Sequence, residues 1–93
     1  MFARLDVVVT VYLAWTSETV PSDLLGPWRG VHVAAPGLVL IDSDDALSRV
    51  YHELKWSLGQ EAALLVAPVA ATPKLRGVAP GTLRWLRQRT ASS

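Results

Sequence analysis

Residues 5–15 read LDVVVTVYLAW, and this stretch decides which fold the remaining sequence can form. It is rich in β-branched and aromatic residues, whose side chains suit the pleated surface of a strand. Both of its alternating faces are nearly apolar, and a strand of this kind lies inside a sheet that is covered on both sides. We therefore expect residues 5–15 to form the central strand of a two-sided sheet.

The sequence after this strand predicts six further elements, of which the first is a short helical turn. Pro21, Gly26 and Pro27 leave room for about one helical turn at 22–25 before the next strand. Pro36-Gly37 has the composition of a tight turn and predicts a hairpin. The predicted elements are strands at 31–35, 38–42 and 62–69, a helix at 44–58 and a short tail helix at 82–89.

The helix at 44–58 has the strongest sequence pattern. Apolar residues recur at helical spacing along one stripe, from Leu47 to Leu58. Ser43 or Asp42 is the expected N-cap, and Gly59 is the expected stop signal. A two-residue hairpin turn would pair His32 with Ile41 and Val31 with Asp42, so that His32 and Asp42 would lie on opposite faces of the sheet.

This order of elements predicts an α/β (α+β) fold, a ferredoxin-like βαββαβ sandwich with a stunted first helix and a basic C-terminal tail helix. The expected strand order is 4-1-3-2, which places the last strand at an edge, where Pro68 is tolerated. We expect residues 1–93 to form one domain, with a core at 5–69, a connection at 70–81 and the tail helix at 82–89.

Composition narrows the functional classes. The 93 residues are 51% apolar and 18% charged, which is typical of a folded domain and not of a disordered chain. Without cysteine, the chain has no disulfide, thiolate metal site or cysteine nucleophile. The longest apolar run is too short to cross a bilayer, and no clear secretion signal precedes it. We expect a cytoplasmic protein that has no membrane partner and needs no cofactor.

The net charge of +1 conceals an uneven distribution. Residues 1–61 carry eight acids and four basic residues, whereas residues 62–93 carry five basic residues and no acid. The basic residues of this second part are Lys74, Arg76, Arg84, Arg87 and Arg89. The charge distribution therefore predicts that the tail attaches to the acidic part of its own chain or of a sister subunit. If these five residues are free instead, they are candidates for nucleic-acid binding.

Trp56 is unexpected on the polar face of the predicted helix, where it accompanies Arg49 and His52. Tryptophan and arginine are frequent anchors of protein interfaces. We take Arg49, His52, Trp56 and the tail residue Trp85 as interface candidates. The alternative is that the tail folds over Trp56 and buries it.

Signs of catalysis are weak. Asp42, Asp44 and Asp45 form an acidic cluster that could hold a divalent metal, although capping of the helix explains it better. The sequence has no phosphate-binding loop and no histidine spacing of a zinc site. A cofactor-independent enzyme would have to use His32 or His52 with Tyr12 or Tyr51 in a pocket.

One further pattern spans roughly residues 5–87 and consists mainly of apolar segments, including Gly26-Pro27-Trp28, Leu38-Val39-Leu40-Ile41 and the stretch from Gly81 to Leu86. This pattern resembles the small CRISPR-associated dimeric nuclease family and its uncharacterised relatives. It implies a ferredoxin-like homodimer. In that family an aspartate at the end of the first strand binds the metal, and the matching position here is Tyr12.

These observations favour a small non-catalytic dimeric module that acts by protein–protein contacts with an unknown partner. Two alternatives remain open at this stage. The first is a nucleic-acid-binding protein or a degenerate metal-dependent nuclease. The second is a cofactor-independent enzyme with a pocket in a ferredoxin-like dimer.

Overall fold

A computed structural model describes residues 10–90 and shows a mixed α+β domain. Its elements are β1 (Thr10–Thr16), β2 (Gly30–Ala35), β3 (Leu38–Ser43), α1 (Leu47–Ser57), β4 (Leu64–Val69) and α2 (Thr82–Arg87). The predicted first strand is confirmed from Thr10 onward, and its residues 5–9 lie outside the described part of the chain.

The four strands form one antiparallel sheet in the order β2-β3-β1-β4. Read from the other edge, this is the order 4-1-3-2 predicted from the sequence, with β1 in the interior between β3 and β4. Pro68 of β4 lies opposite Tyr12 of β1, and β4 is an edge strand as expected. An edge position tolerates proline because one side of the strand has no ladder bonds to lose.

The hairpin register differs from the prediction. Ala35 pairs with Leu38 as expected. An irregularity between Val33 and Ala35 then shifts every pair farther from the hairpin turn by one residue. His32 therefore lies opposite Leu40, and Gly30 lies opposite Asp42. A one-residue shift exchanges the two faces of a strand, so the predicted separation of His32 from Asp42 was wrong and both are on the same face.

Helix α1 covers the first face of the sheet. Val50 and Leu54 of α1 are buried and pack with Tyr12, Ile41 and other strand residues in one apolar cluster. The helix begins at Leu47 rather than at the predicted residue 44, and no side chain caps Ala46, its N-cap residue. It ends at Ser57, before the predicted stop at Gly59.

The acidic residues before α1 belong to a turn and not to the helix. The Ser43 hydroxyl accepts a hydrogen bond from the Asp45 amide at 3.0 Å and donates one to the Pro27 carbonyl at 2.7 Å. Ser43 thus holds a turn between β3 and α1 through its side chain. The prediction that Asp44 and Asp45 occupy the first helical turn was wrong, because that turn contains no acid.

The segment 17–29 forms no helix, only turns and bends, so the predicted helical turn at 22–25 is absent. It still contributes to the core of the first face, because Val20 is buried and Leu24 and Trp28 pack against the cluster. The Trp28 indole N–H donates to the Leu24 carbonyl at 3.1 Å. A side chain at Gly26 would collide with the Trp28 ring, which explains the glycine.

Helix α2 and the connection before it cover the second face. Leu86 is completely buried in a cluster with Val11, Ala34 and Leu40, and Leu75 and Val78 of the connection pack around it. The predicted tail helix is confirmed, although it ends at Arg87. In the part of the chain that the structure describes, no helix is long and apolar enough to cross a membrane.

Replacement of Leu86 by alanine should measure how strongly the tail stabilises the fold. Leu86 is 0% exposed, so L86A removes buried methyl groups and leaves a cavity, which costs about 2–5 kcal/mol. Urea unfolding followed by circular dichroism gives this value. Leu83 on the same helix is 37% exposed, and L83A should cost ~0.5 kcal/mol or less. Equal stabilities of L86A and L83A would contradict tail docking.

Candidate functional site

The outer face of α1 carries three of the four predicted interface residues. Arg49, His52 and Trp56 follow one another at spacings of three and four, which places them on one side of the helix. Val50 and Leu54 anchor the opposite side in the core. The Trp56 side chain is 71% exposed, so the tail does not bury it. We call Arg49, His52 and Trp56 the α1 surface.

The aromatic rings of this surface support one another. The His52 and Trp56 rings stack with centroids 5.9 Å apart and an interplanar angle of 28°. The Tyr51 and His52 rings are T-shaped, with centroids 5.3 Å apart. The stacking contact gives the mostly exposed indole a partner ring on the helix. Arg49 pairs with Glu53 at 3.5 Å, the helical i, i+4 pair that the sequence suggests.

A cavity of about 430 Å³ lies beside Trp56 at the C-terminal end of α1. Its lining is polar and apolar in about equal parts, and the residues with polar side chains are Tyr51, Lys55 and Gln60. The lining residues are Tyr51, Lys55, Trp56, Leu58, Gly59, Gln60, Ala62 and Leu64. Its volume is within the range of small-molecule and side-chain pockets. Sequence reasoning did not find this cavity, because its walls come from a helix end, a loop and a strand.

Trp85 does not join the α1 surface. It belongs to α2 on the second face of the sheet and is partly buried against the Leu86 cluster. Its ring stacks on His32 with centroids 5.9 Å apart. The Arg89 guanidinium lies 4.1 Å from its ring centre, a cation–π contact. Trp85 therefore attaches the tail to the sheet, and its role in an interface stays a prediction.

His32 takes part in the same attachment. The Thr82 hydroxyl donates its single proton to the Ala79 carbonyl at 2.6 Å. It is also 2.7 Å from His32 Nε2, so Nε2 must carry a proton and donate to the Thr82 oxygen. His32 is thus a structural bridge between β2 and α2.

The five basic residues of the second part of the chain separate into two groups. Arg89 donates from Nε to Asp42 Oδ2 at 2.9 Å and from Nη1 to the Trp85 carbonyl at 3.1 Å. Arg89 is consequently bound within its own chain and is not free for nucleic acid. Four residues are exposed and have no acidic partner within residues 10–90, namely Lys74, Arg76, Arg84 and Arg87.

Two residues of the acidic cluster, Asp42 and Asp44, are paired with arginines. Asp42 is buried on β3 and contacts Arg89 and, at 3.9 Å, Arg29. Asp44 accepts a hydrogen bond from Arg29. That bond, with smaller Coulombic contributions from both aspartates, raises the pKa of Arg29 above its usual value, so Arg29 remains cationic. Within the described residues, no three potential ligands are grouped as a metal site would need, and Asp42, Asp44 and Asp45 do not supply one.

The residues considered for cofactor-independent catalysis are also dispersed. Tyr12 is buried, and its hydroxyl donates to the Asp45 carbonyl at 2.8 Å. Tyr51 lines the cavity, but neither His32 nor His52 does. His52 lies on the exposed side of α1. The cavity therefore lacks the histidine that this hypothesis needs.

Comparisons with known proteins give no family assignment. No protein-family model, curated protein or solved structure matches this chain.

The pairing of Arg89 with Asp42 predicts a specific loss of stability. R89A should lower the free energy of unfolding by about 1–3 kcal/mol, because a buried carboxylate loses its hydrogen-bonded partner. R87A, which removes an exposed charge from the same helix, should cost ~0.5 kcal/mol or less. Urea unfolding measures both values.

A double-mutant cycle tests whether the loss comes from this pair. D42N should cost less in the R89A background than in the wild type, since the two changes remove the same interaction. Strictly additive losses would show that Arg89 stabilises the tail by another route.

Proposed function

We propose that this protein is a small non-catalytic dimeric binding module that acts through protein–protein contacts, with the α1 surface as its site for a partner protein. The observation that carries the proposal is the exposed, ring-stacked Trp56 beside a cavity with both apolar and polar lining residues. We also assign it to the ferredoxin-like fold, which the strand order supports even though the first helix is absent. A cytoplasmic location, expected from the sequence, is part of the same proposal.

Burial of Trp56 would contribute enough free energy to anchor a partner. Aromatic side chains bury roughly 150–250 Å². Covering an indole that is 71% exposed therefore removes roughly 100–180 Å² from water, worth about 2.5–4.5 kcal/mol before the cost of association.

The cavity defines the chemistry of the partner. Its apolar wall, formed by Leu58, Ala62 and Leu64, fits an apolar side chain. Among the lining residues that the structure describes, Lys55 is the one with a charged side chain. We therefore expect the partner segment to present an apolar anchor next to an acidic residue, so that its carboxylate pairs with Lys55 when water is excluded.

Replacement of Trp56 by alanine tests this proposal. A photo-crosslinking residue at position 52 first captures the partner in the source cells. The partner is then purified, and its affinity for the unmodified protein is measured by calorimetry. W56A should weaken binding by roughly 30-fold or more, as expected for an interface hot spot of about 2 kcal/mol.

Leu25→Ala provides the matched control, because Leu25 is 86% exposed and lies on the loop before β2. L25A should leave the affinity unchanged. If W56A and L25A bind the purified partner equally well, the α1 surface is not the binding site. Circular dichroism establishes that both variants are folded.

A second candidate function is nucleic-acid binding through the tail. It is favoured by the exposed cations Lys74, Arg76, Arg84 and Arg87, which have no acidic partner within the described chain. These residues lie on the side of the sheet opposite the α1 surface. Asp42 and Asp44 are paired with Arg89 and Arg29, which argues against a metal-dependent nuclease. The second candidate is therefore nucleic-acid binding without cleavage.

Salt dependence tests the second candidate. Binding of a single-stranded oligonucleotide, measured by fluorescence anisotropy, should weaken steeply with salt because phosphate contacts release counterions. R84A/R87A should reduce the slope of log K against log salt by roughly 1.4, about 0.7 for each lost contact. R49A, on the opposite face, should leave the slope unchanged. Binding that does not respond to salt would eliminate this function.

A further inference from the structure

Strand β4 forms one edge of the sheet, and the hydrogen bonds beside it fix which of its backbone groups point outward. The Ser17 amide donates to the Ala63 carbonyl at 3.2 Å, where the register of β1 and β4 continues beyond the two strands. In an antiparallel ladder every second residue pair exchanges its backbone bonds, so the odd-numbered residues of β4 bond to β1. The even-numbered residues of β4, whose backbone groups point to the outer edge, are Leu64, Val66 and Pro68.

The hydrogen bonds on the other side of β1 agree with this assignment. The Thr16 amide donates to the Gly37 carbonyl at 2.8 Å, in register with the ladder between β1 and β3. The even-numbered residues of β1 therefore bond to β3, and the odd-numbered ones bond to β4. Tyr12, which lies opposite Pro68, belongs to the even-numbered group. The N–H that Pro68 lacks would consequently have pointed to the outer edge.

The outer edge of β4 is open to a further strand. Within residues 10–90, no group outside the sheet bonds to the outward N–H and C=O groups of Leu64 and Val66. The sequence of β4, LLVAPV, also has no charged residue, although charge is a common means of keeping an edge strand from pairing. Pro68 lacks a donor, so an added strand can pair with β4 only as far as Pro68.

This open edge borders the cavity of the proposed partner site. Leu64 lines the cavity together with residues of α1 that include Lys55 and Trp56. Leu64 and Val66 pack against the apolar cluster of the first face, so their side chains lie on the same side of the sheet as α1. A residue directly opposite Leu64 on an added strand would carry its side chain on that side as well.

From the open edge and the adjoining cavity we infer that the partner binds as an extended peptide that adds a fifth strand to β4. The peptide backbone bonds to the outward N–H and C=O groups of Leu64 and Val66, and an alternate side chain enters the cavity beside Trp56. In this mode of recognition, main-chain bonds supply affinity and pockets for alternate side chains supply specificity. The inference rests on the proposed function, because it uses the same cavity, and it specifies the form of the partner.

Charge favours a foreign peptide over a second copy of β4. Lys55 contributes a positive charge to the cavity lining, and β4 contains no carboxylate with which a second copy could pair it. A peptide with an acidic residue two positions from its apolar anchor would present both side chains on one face of its strand. The anchor then fills the cavity, and the carboxylate pairs with Lys55.

Amide hydrogen exchange, followed by NMR, tests the geometry of the edge. In the free chain, the amides of Leu64 and Val66 should exchange roughly tenfold or more faster than those of Leu65 and Ala67, which bond to β1. The probe is a heptapeptide selected against the wild-type chain from a random library displayed on phage. Its binding should slow exchange at Leu64 and Val66 more than at Leu65 and Ala67. Selected peptides should share an apolar residue and an acid two positions apart.

Val66→Pro tests whether the main-chain bonds contribute to binding. V66P removes an outward donor, and Pro68 is already accommodated two residues further along the same edge. V66A is the matched control, because it shortens the side chain and keeps the N–H. V66P should bind the selected peptide roughly tenfold or more weakly than V66A, since a backbone bond is lost and the proline ring meets the added strand. Circular dichroism checks folding, and the exchange measurement decides alone if V66P is unfolded.

Several results would overturn the inference. Equal affinities of folded V66P and V66A exclude strand addition, and so does peptide binding that leaves exchange at Leu64 and Val66 unchanged. A library that yields no binding peptide also contradicts it. Protection of these two amides that rises with chain concentration, without peptide, would assign the edge to a second copy. If W56A weakens binding of the purified partner but V66P binds it as V66A does, the α1 surface remains the site and only strand addition fails.

Discussion

The docking of the tail on the second face of the sheet is the interaction on which the rest of this structure depends. Strand β1 is apolar on both faces, and α1 covers only one of them. Without Leu86 and its neighbours, Val11 and Leu40 would be exposed to water at a cost of roughly 25 cal/mol per Å². A chain of this size has little stability to spare for such exposure.

Polar contacts position the tail more specifically than its apolar residues do. Leu86 could pack at several places on an apolar sheet, whereas the Arg89–Asp42 pair and the His32–Thr82 bond each require one alignment. Asp42 is buried, and its Oδ1 has no hydrogen-bond partner among the described residues, although Arg29 lies 3.9 Å away. Burial of a carboxylate is costly unless it is paired. Arg29 and Arg89 therefore compensate the buried negative charge of Asp42 beneath the tail.

The sequence predicted the strand order because that order follows from the succession of strands and helices along the chain, and the two apolar faces of β1 and the proline in β4 agree with it. It also predicted that Arg49, His52 and Trp56 share a helix face. It could not predict the bulge near Ala34, which places His32 and Asp42 together under the tail. The start of α1 was misjudged because Ser43 caps a turn with the same residue pattern that caps a helix. The cavity beside Trp56 depends on residues distant in sequence and leaves no local pattern.

The two faces of the sheet consequently have different roles in our account: the first carries α1 and its exposed Trp56, and the second carries the docked tail. The most direct test is an isotope-filtered NOE measurement on a mixture of labelled and unlabelled chains. Our account predicts intramolecular contacts between the Leu86 methyl groups and Val11, and no contact between the Trp56 ring and α2. Contacts of Leu86 that appear only between chains, or contacts of Trp56 with α2, would contradict it.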